Sequence, residues 1–147
     1  MLYPIKMDDY TKAHAWCGPG ALSSLTGIPL REATEMLTRI HGGTYSDLEG
    51  VWAEDVLLAL MELGYKARKV DIISRYPELT HGPTLDRFIS ERKVDEVVSP
   101  LLIHISGHFV TSHFGFMTDN WVGRPVPVAE FPKMKRLVKE VWKITKR

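Results

Sequence analysis

The 147-residue chain has one cysteine, Cys17, no glutamine and one asparagine, Asn120. A single cysteine excludes an intramolecular disulfide, so stability has to come from a packed core. A lone thiol also suits a reducing compartment. No apolar run approaches the ~20 residues that a membrane-spanning helix needs. Met1 to Met7 has neither the apolar stretch nor the small-residue cleavage site of a secretory signal. An excess of charge is missing too, with 19 Lys plus Arg against 18 Asp plus Glu. Nothing global steers the chain to nucleic acid or to an anionic membrane. The exception is Lys133 to Arg147, which carries seven basic residues and one acid, Glu140, and reads as a solvated strand or helix edge. These absences point to a cytoplasmic protein with no nucleic-acid or membrane partner. What is present is an ordinary globular composition, 44% hydrophobic and 25% charged, and a length that fits one domain spanning 1–147.

Periodicity divides that length into helices followed by strands. Gly18-Pro19-Gly20 suits a helix entry, where proline's fixed φ and missing N–H are harmless. Ala21, Leu22 and Leu25 give that helix an apolar face, and Gly27 a stop. Ile28-Pro29 opens a second helix, with Leu30, Ala33, Met36, Leu37 and Ile40 at amphipathic spacing up to Gly42-Gly43. After a polar loop through Asp47 and Glu49, a third helix over Trp52 to Leu63 is apolar on most of its surface and is expected to lie deep. Tyr65 to Ile72 reads as a strand, and Thr84-Leu85-Asp86 opens a short helix reaching about Glu91. From Pro100 the period becomes two. Leu101 to Ile105 has the continuous apolar character of a central strand. His108 to Ser112 and Phe116 to Asp119 read as a hairpin turning near 113–115, and Leu137 to Thr145 as a last strand. Helices first and an antiparallel sheet after them define an α+β fold, the helices packed on the sheet.

The chemistry rests on the placement of Cys17 at the start of the first helix. Unpaired N–H groups and the helix dipole there favour a thiolate, and the same N–H groups can donate to an oxyanion. A lone cysteine is otherwise a small buried hydrophobe, so a base is required. Of six histidines, His14, His41 and His81 sit in surface-like contexts, His104 suits a satisfied core position, and His113 looks like a hairpin-turn residue. His108 begins a strand behind Ser106-Gly107, which clears space beside it. A turn at 113–115 brings Asp119 roughly across from His108. There a carboxylate can fix the imidazole tautomer and stabilise imidazolium. Asn120 is the alternative orienter, and strand alternation lets only one of the two face His108. A metal site would need more: no second cysteine or Glu-rich cluster completes a ligand set, and His104 and His108 share a face only if one strand runs unbroken through both.

Taken together, Trp16-Cys17-Gly18-Pro19-Gly20-Ala21-Leu22 and Gly107-His108-Phe109-Val110 resemble papain-like cysteine peptidases. The resemblance is closer to small bacterial and phage-encoded members and to the bacteriocin-processing type. Those show Cys-Gly-Pro-x-Ala-Leu, then Gly-His before apolar residues, then Asp-Pro or Asp-Asn, where this chain has Thr118-Asp119-Asn120. Thr26-Gly27-Ile28-Pro29, Leu63-Gly64-Tyr65 and Thr84 to Ile89 also look like connecting segments of such proteins. The resemblance spans most of residues 14–142. It implies a papain-like fold, Cys17 as nucleophile, His108 as general base and acid, Asp119 as orienter, a peptide or protein substrate and no cofactor. One departure stands out: such enzymes place glutamine or asparagine shortly before the cysteine as an oxyanion donor. Here the upstream donors are Thr11, Lys12, His14 and the Trp16 ring, beside the Cys17 N–H.

The expected activity is acyl transfer by a cysteine-dependent hydrolase. Two alternatives remain: a non-catalytic papain-like module that grips a protein partner, and a structural domain in which Cys17 is only buried.

Overall fold

The computed structural model describes residues 1–5, 17–42 and 51–147. Three helices lead: α1 (Cys17–Thr26), α2 (Leu30–His41) and α3 (Ala53–Glu62). Helix α1 stops at Gly27, whose φ of 83° lets its N–H return to the Ser23 carbonyl at 2.8 Å. This is the left-handed C-terminal cap that glycine supplies without a Cβ clash. Gly42, φ 78°, closes α2 in the same way onto the Thr38 carbonyl. As its spacing implies, α2 buries Leu30, Ala33 and Leu37. Helix α1 does more than its single apolar face suggests, being buried from Gly18 through Leu25. Its serines accept burial because they are bonded: Ser23 donates to the Ile28 carbonyl at 2.7 Å, and Ser24 meets Thr111 at 2.9 Å. Helix α3 departs from expectation in the other direction. Ala53, Val56, Ala59 and Leu60 are buried, while Leu58 and Met61 are about half exposed. One stripe of an apolar helix meets the core here, and the rest faces outward.

A six-stranded antiparallel sheet, β1 (Tyr65–Val70), β2 (Leu101–Ile105), β3 (His108–His113), β4 (Phe116–Thr118), β5 (Val126–Pro127) and β6 (Val138–Lys146), has the order β1-β6-β2-β3-β4-β5. The final strand thus inserts between the first two, pairing Ala67 with Ile144 and Ile103 with Val141. Between β1 and β2 lie three short helices, α4 (Ile72–Arg75), α5 (Leu85–Ser90) and α6 (Val94–Val98). Strand β1 ends before Ile72 because Asp71 caps α4, accepting from the Ser74 N–H at 3.1 Å. Thr84 likewise caps α5, accepting from the Arg87 N–H at 3.2 Å.

The sheet separates two apolar layers. On one side Leu102, Phe109, Trp142 and Ile144 pack with α1, α2 and α3; on the other Leu101, Ile103, Val110 and Val141 pack with Leu85, Phe88 and Ile89 of α5. Strand β2, between β6 and β3, is buried at Leu101, Leu102, Ile103 and Ile105, the central position its apolar run implies. Among the described residues no helix is long and apolar enough to cross a membrane.

Candidate active site

Helix α1 is pinned to β3 by the buried Ser24–Thr111 hydroxyl pair. From Ser24, Cys17 lies seven residues toward the helix N-terminus, about 10.5 Å at 1.5 Å per residue. From Thr111, His108 lies three residues toward the strand N-terminus, about 10 Å at 3.4 Å per residue. The two rises match, and the N-terminal ends of helix and strand meet. The backbone N–H of Phe109 is accordingly among the groups that favour negative charge on the Cys17 sulfur. Cys17, His108 and Phe109 line one cavity of about 330 Å³ with Trp52, His104 and Glu140.

Ser106-Gly107 forms the two-residue turn that delivers His108, with Ile105 paired to His108 across it. Gly107 has φ 68°, a value that disfavours a side chain. His108 and Asp119 are both buried, and His108 Nε2 lies 2.8 Å from Asp119 Oδ2. The carboxylate can only accept, so Nε2–H donates and Nδ1 is left as the basic ring nitrogen. The other carboxylate oxygen, Oδ1, accepts from the Trp121 N–H at 3.0 Å and the Val122 N–H at 2.8 Å. Burial would push the Asp119 carboxyl up, but the hydrogen bonds from His108 and Val122 and the positive charge of Lys133 hold it below the ordinary carboxylate value.

Asp119 rather than Asn120 meets His108. The β3–β4 ladder pairs Thr111 with Thr118, so continuing it sets Asp119 opposite Val110, on the His108 parity. Asn120 turns toward α1, where a Cβ added to Gly20 would come within 2.8 Å of the Asn120 Cβ. Glycine at position 20 therefore lets this segment close against the helix.

Cys17 itself departs from the sequence expectation. Burial pushes its thiol above the ordinary value, overcoming the N–H groups of Phe109, Cys17 and Gly18, and the Asp119 charge adds to the rise. The helix terminus stabilises a thiolate, as its dipole requires, yet desolvation is the larger effect.

The remaining histidines separate cleanly. His113 is no turn residue: it ends β3, is buried, and its Nε2 meets the Val98 carbonyl at 2.8 Å. The turn falls on Phe114-Gly115, with Phe114 at φ 55°. His104 stacks on Phe109 with ring centroids 4.8 Å apart, and its Nδ1 is 3.5 Å from Glu140. It sits on β2, so the Ser106-Gly107 turn denies it a common strand with His108. Among the described residues no three His, Cys, Asp or Glu side chains come together to hold a metal ion. The upstream donors Thr11, Lys12, His14 and Trp16, and the loop through Asp47 and Glu49, lie outside the described residues.

Sequence reasoning missed Trp52, Glu140 and Lys133 near the site. Lys133 Nζ is 4.0 Å from Asp119 Oδ2 and 5.3 Å from the centre of the Trp121 ring; no local motif marks it within the basic stretch. A larger groove of about 520 Å³ lies away from Cys17, lined by residues including Arg75, Asp95, Glu96 and Lys143. Arg75 pairs with Glu96, and Lys143 with Asp95 at 2.7 Å. Its charges are largely consumed internally, and its lining holds neither cysteine nor histidine.

Helices and antiparallel sheet in this arrangement make an α+β, papain-like fold. Among the solved structures that share it are two peptidases. One is a double glycine motif protease from an AMS/PCAT transporter, solved in complex with the leader peptide: TM-score 0.57, 18% identity, covering 99% of this chain and 92% of that one. The other is the peptidase domain of Streptococcus ComA, a bi-functional ABC transporter involved in a quorum sensing pathway: TM-score 0.54, 13% identity, 100% of both chains. No protein-family model and no curated protein matches the sequence.

Proposed function

We propose that this chain is a cysteine-dependent peptidase or amidase in which Cys17 is the nucleophile, His108 the general base and acid, and Asp119 the orienter. The observation that carries this reading is the buried His108–Asp119 hydrogen bond of 2.8 Å beside a cavity shared by His108 and Cys17. The fold shared with two peptidase domains supports it. A peptide or protein substrate is favoured because one of those domains was solved with a leader peptide.

In this mechanism Cys17 passes its proton to His108 Nδ1, and the thiolate attacks the substrate carbonyl carbon. The Cys17 and Gly18 N–H groups, which favour negative charge on the sulfur, are the oxyanion donors at hand. As the C–N bond breaks, His108 returns the proton to the leaving amine and a thioester remains. Water, deprotonated by His108, then attacks the thioester, releasing the acid and restoring the thiol. Transfer to an amine would use the same residues. Because burial raises the thiol, ionisation depends on this proton transfer to His108. One sheet carrying both apolar layers supports reading 1–147 as a single domain, and the lone thiol supports a reducing, cytoplasmic setting.

The test is cleavage of a peptide library, with labelling by a thiol-directed acyl probe. Cys17→Ala and His108→Ala are each expected to abolish cleavage and labelling. Equal labelling of wild type and the His108 variant across neutral pH would sink the pairing. A second reading, a non-catalytic module that grips a protein partner, draws on the raised thiol. It predicts ordinary thiol reactivity and a partner whose binding survives Cys17→Ala.

A further inference from the structure

Lys133 is the first residue of the basic stretch, yet it is not a solvated charge. Its side chain retains 18% of its exposure, and its ammonium stands between the Trp121 ring, 5.3 Å away, and Asp119 Oδ2, 4.0 Å away. That oxygen is the one that takes the His108 hydrogen bond. Asp119 thus serves two cations at one atom: a permanent one, Lys133, and an imidazole that carries charge only when protonated. We propose that Lys133 is a positioning residue that acts through Asp119, setting how firmly the carboxylate holds protonated His108. The proposal rests on the Cys17–His108–Asp119 reading above.

The physics has a definite sign. Asp119 stabilises imidazolium, and a fixed positive charge beside the same carboxylate oxygen offsets part of that stabilisation. An imidazole held too firmly as imidazolium is a poor base toward the thioester-hydrolysing water, so this offset keeps His108 able to cycle its proton. The groups that bear on this carboxylate are His108 from β3, Lys133 from the segment after the Val128–Glu130 turn, and Cys17 from α1, whose thiol the Asp119 charge raises. His104, Glu54 and Glu140 stand around the cavity, and Glu140 is tied to Lys69 at 3.0 Å. None of these three meets Asp119 in a hydrogen bond or ion pair. The Trp121 face adds cation–π attraction that holds the ammonium in place.

The experiment is a nuclear magnetic resonance titration of the His108 ring in wild type, Lys133→Met, Lys133→Gln and Lys133→Arg, run with the pH profile of Cys17 alkylation. Removing a positive charge makes the imidazole easier to protonate. Both neutral variants should therefore titrate His108 higher by ~0.5–1 pH unit, and the alkaline limb of alkylation should move in the same direction. Lys133→Arg should stay with wild type. An unchanged or lowered His108 titration in the folded neutral variants overturns the proposal, and the Gln variant guards against misfolding of the Met one. If the shift appears while wild type cleaves no peptide, Lys133 keeps its role and the peptidase reading falls.

Discussion

His108 Nε2 and Asp119 Oδ2 lie 2.8 Å apart, with the Asp119 side chain wholly out of solvent. A buried carboxylate is tolerable only when its lone pairs are occupied. Here one oxygen takes the imidazole and the other takes two backbone N–H groups. Asp119 is therefore both a structural acceptor and the group that dictates which ring nitrogen of His108 is free. Both consequences can be measured.

Replacing Asp119 by asparagine should lower kcat/KM on a cleaved peptide by roughly 10²–10⁴-fold, because the amide no longer stabilises imidazolium. The stability effect has its own pH signature. The folded carboxyl titrates below its unfolded value of about 3.9, so the unfolded chain binds the proton more tightly. Its contribution is complete above the unfolded value and is lost as pH falls through the folded one. Denaturant midpoints at pH 6 and pH 3 should show a smaller acid-side loss for Asp119→Asn than for wild type.

Cys17 should behave as a thiol that needs its base. Burial raises it above the ordinary thiol value, so without a partner the sulfur stays protonated at neutrality. In His108→Ala, alkylation should be slow at neutrality and climb only in alkaline solution, above the range of an ordinary thiol. Wild type should show a reactive fraction near neutrality instead. Identical profiles would mean that His108 does not activate the sulfur.

Gly20→Ala distinguishes helix propensity from close approach. Alanine inside a helix ordinarily stabilises by about 1 kcal/mol relative to glycine. Here the new methyl would stand 2.8 Å from the Asn120 Cβ and 3.3 Å from its Cα. Overpacking of this kind costs about 1–3 kcal/mol. The variant should melt lower than wild type and lose activity as the neighbouring Asp119 is displaced. A higher melting temperature would show that the segment yields freely.

The Ser24–Thr111 pair should register as a coupled unit. Ser24→Ala leaves a buried hydroxyl without its better partner, at a cost of about 1–3 kcal/mol. Adding Thr111→Val removes the orphaned group, so the double variant should be less destabilised than the sum of the singles. Additive losses in a chemical-denaturation cycle would deny that this bond pins α1 to β3.

Local rules carried the reading wherever neighbours along the chain decide the outcome. Gly27 and Gly42 end their helices because glycine takes the left-handed turn there, returning its N–H to the last turn, without a Cβ clash. Asp119 and His108 face the same way because strand parity is a local fact once the hairpin turn is placed. The rule failed where partners are distant. Ile72 leaves the strand for a capped helix, and α6 and β5 are too short to show a period. The apolar surface of α3 is half open because only one of its stripes finds a core.

What the sequence by itself determined is the order of helices before sheet, the cysteine at a helix start, the histidine at a strand start and the acid eleven residues later. Each follows from periodicity, turn chemistry or side-chain type. Only the tertiary structure decided that β6 inserts between β1 and β2, that burial raises the Cys17 thiol, and that Lys133 reaches Asp119. Strand order depends on which edges meet across long stretches of chain, and an ionisation depends on solvent exclusion and on charges brought in from elsewhere. Neither is written in any window of residues, because both are set by which surfaces the folded chain presses together.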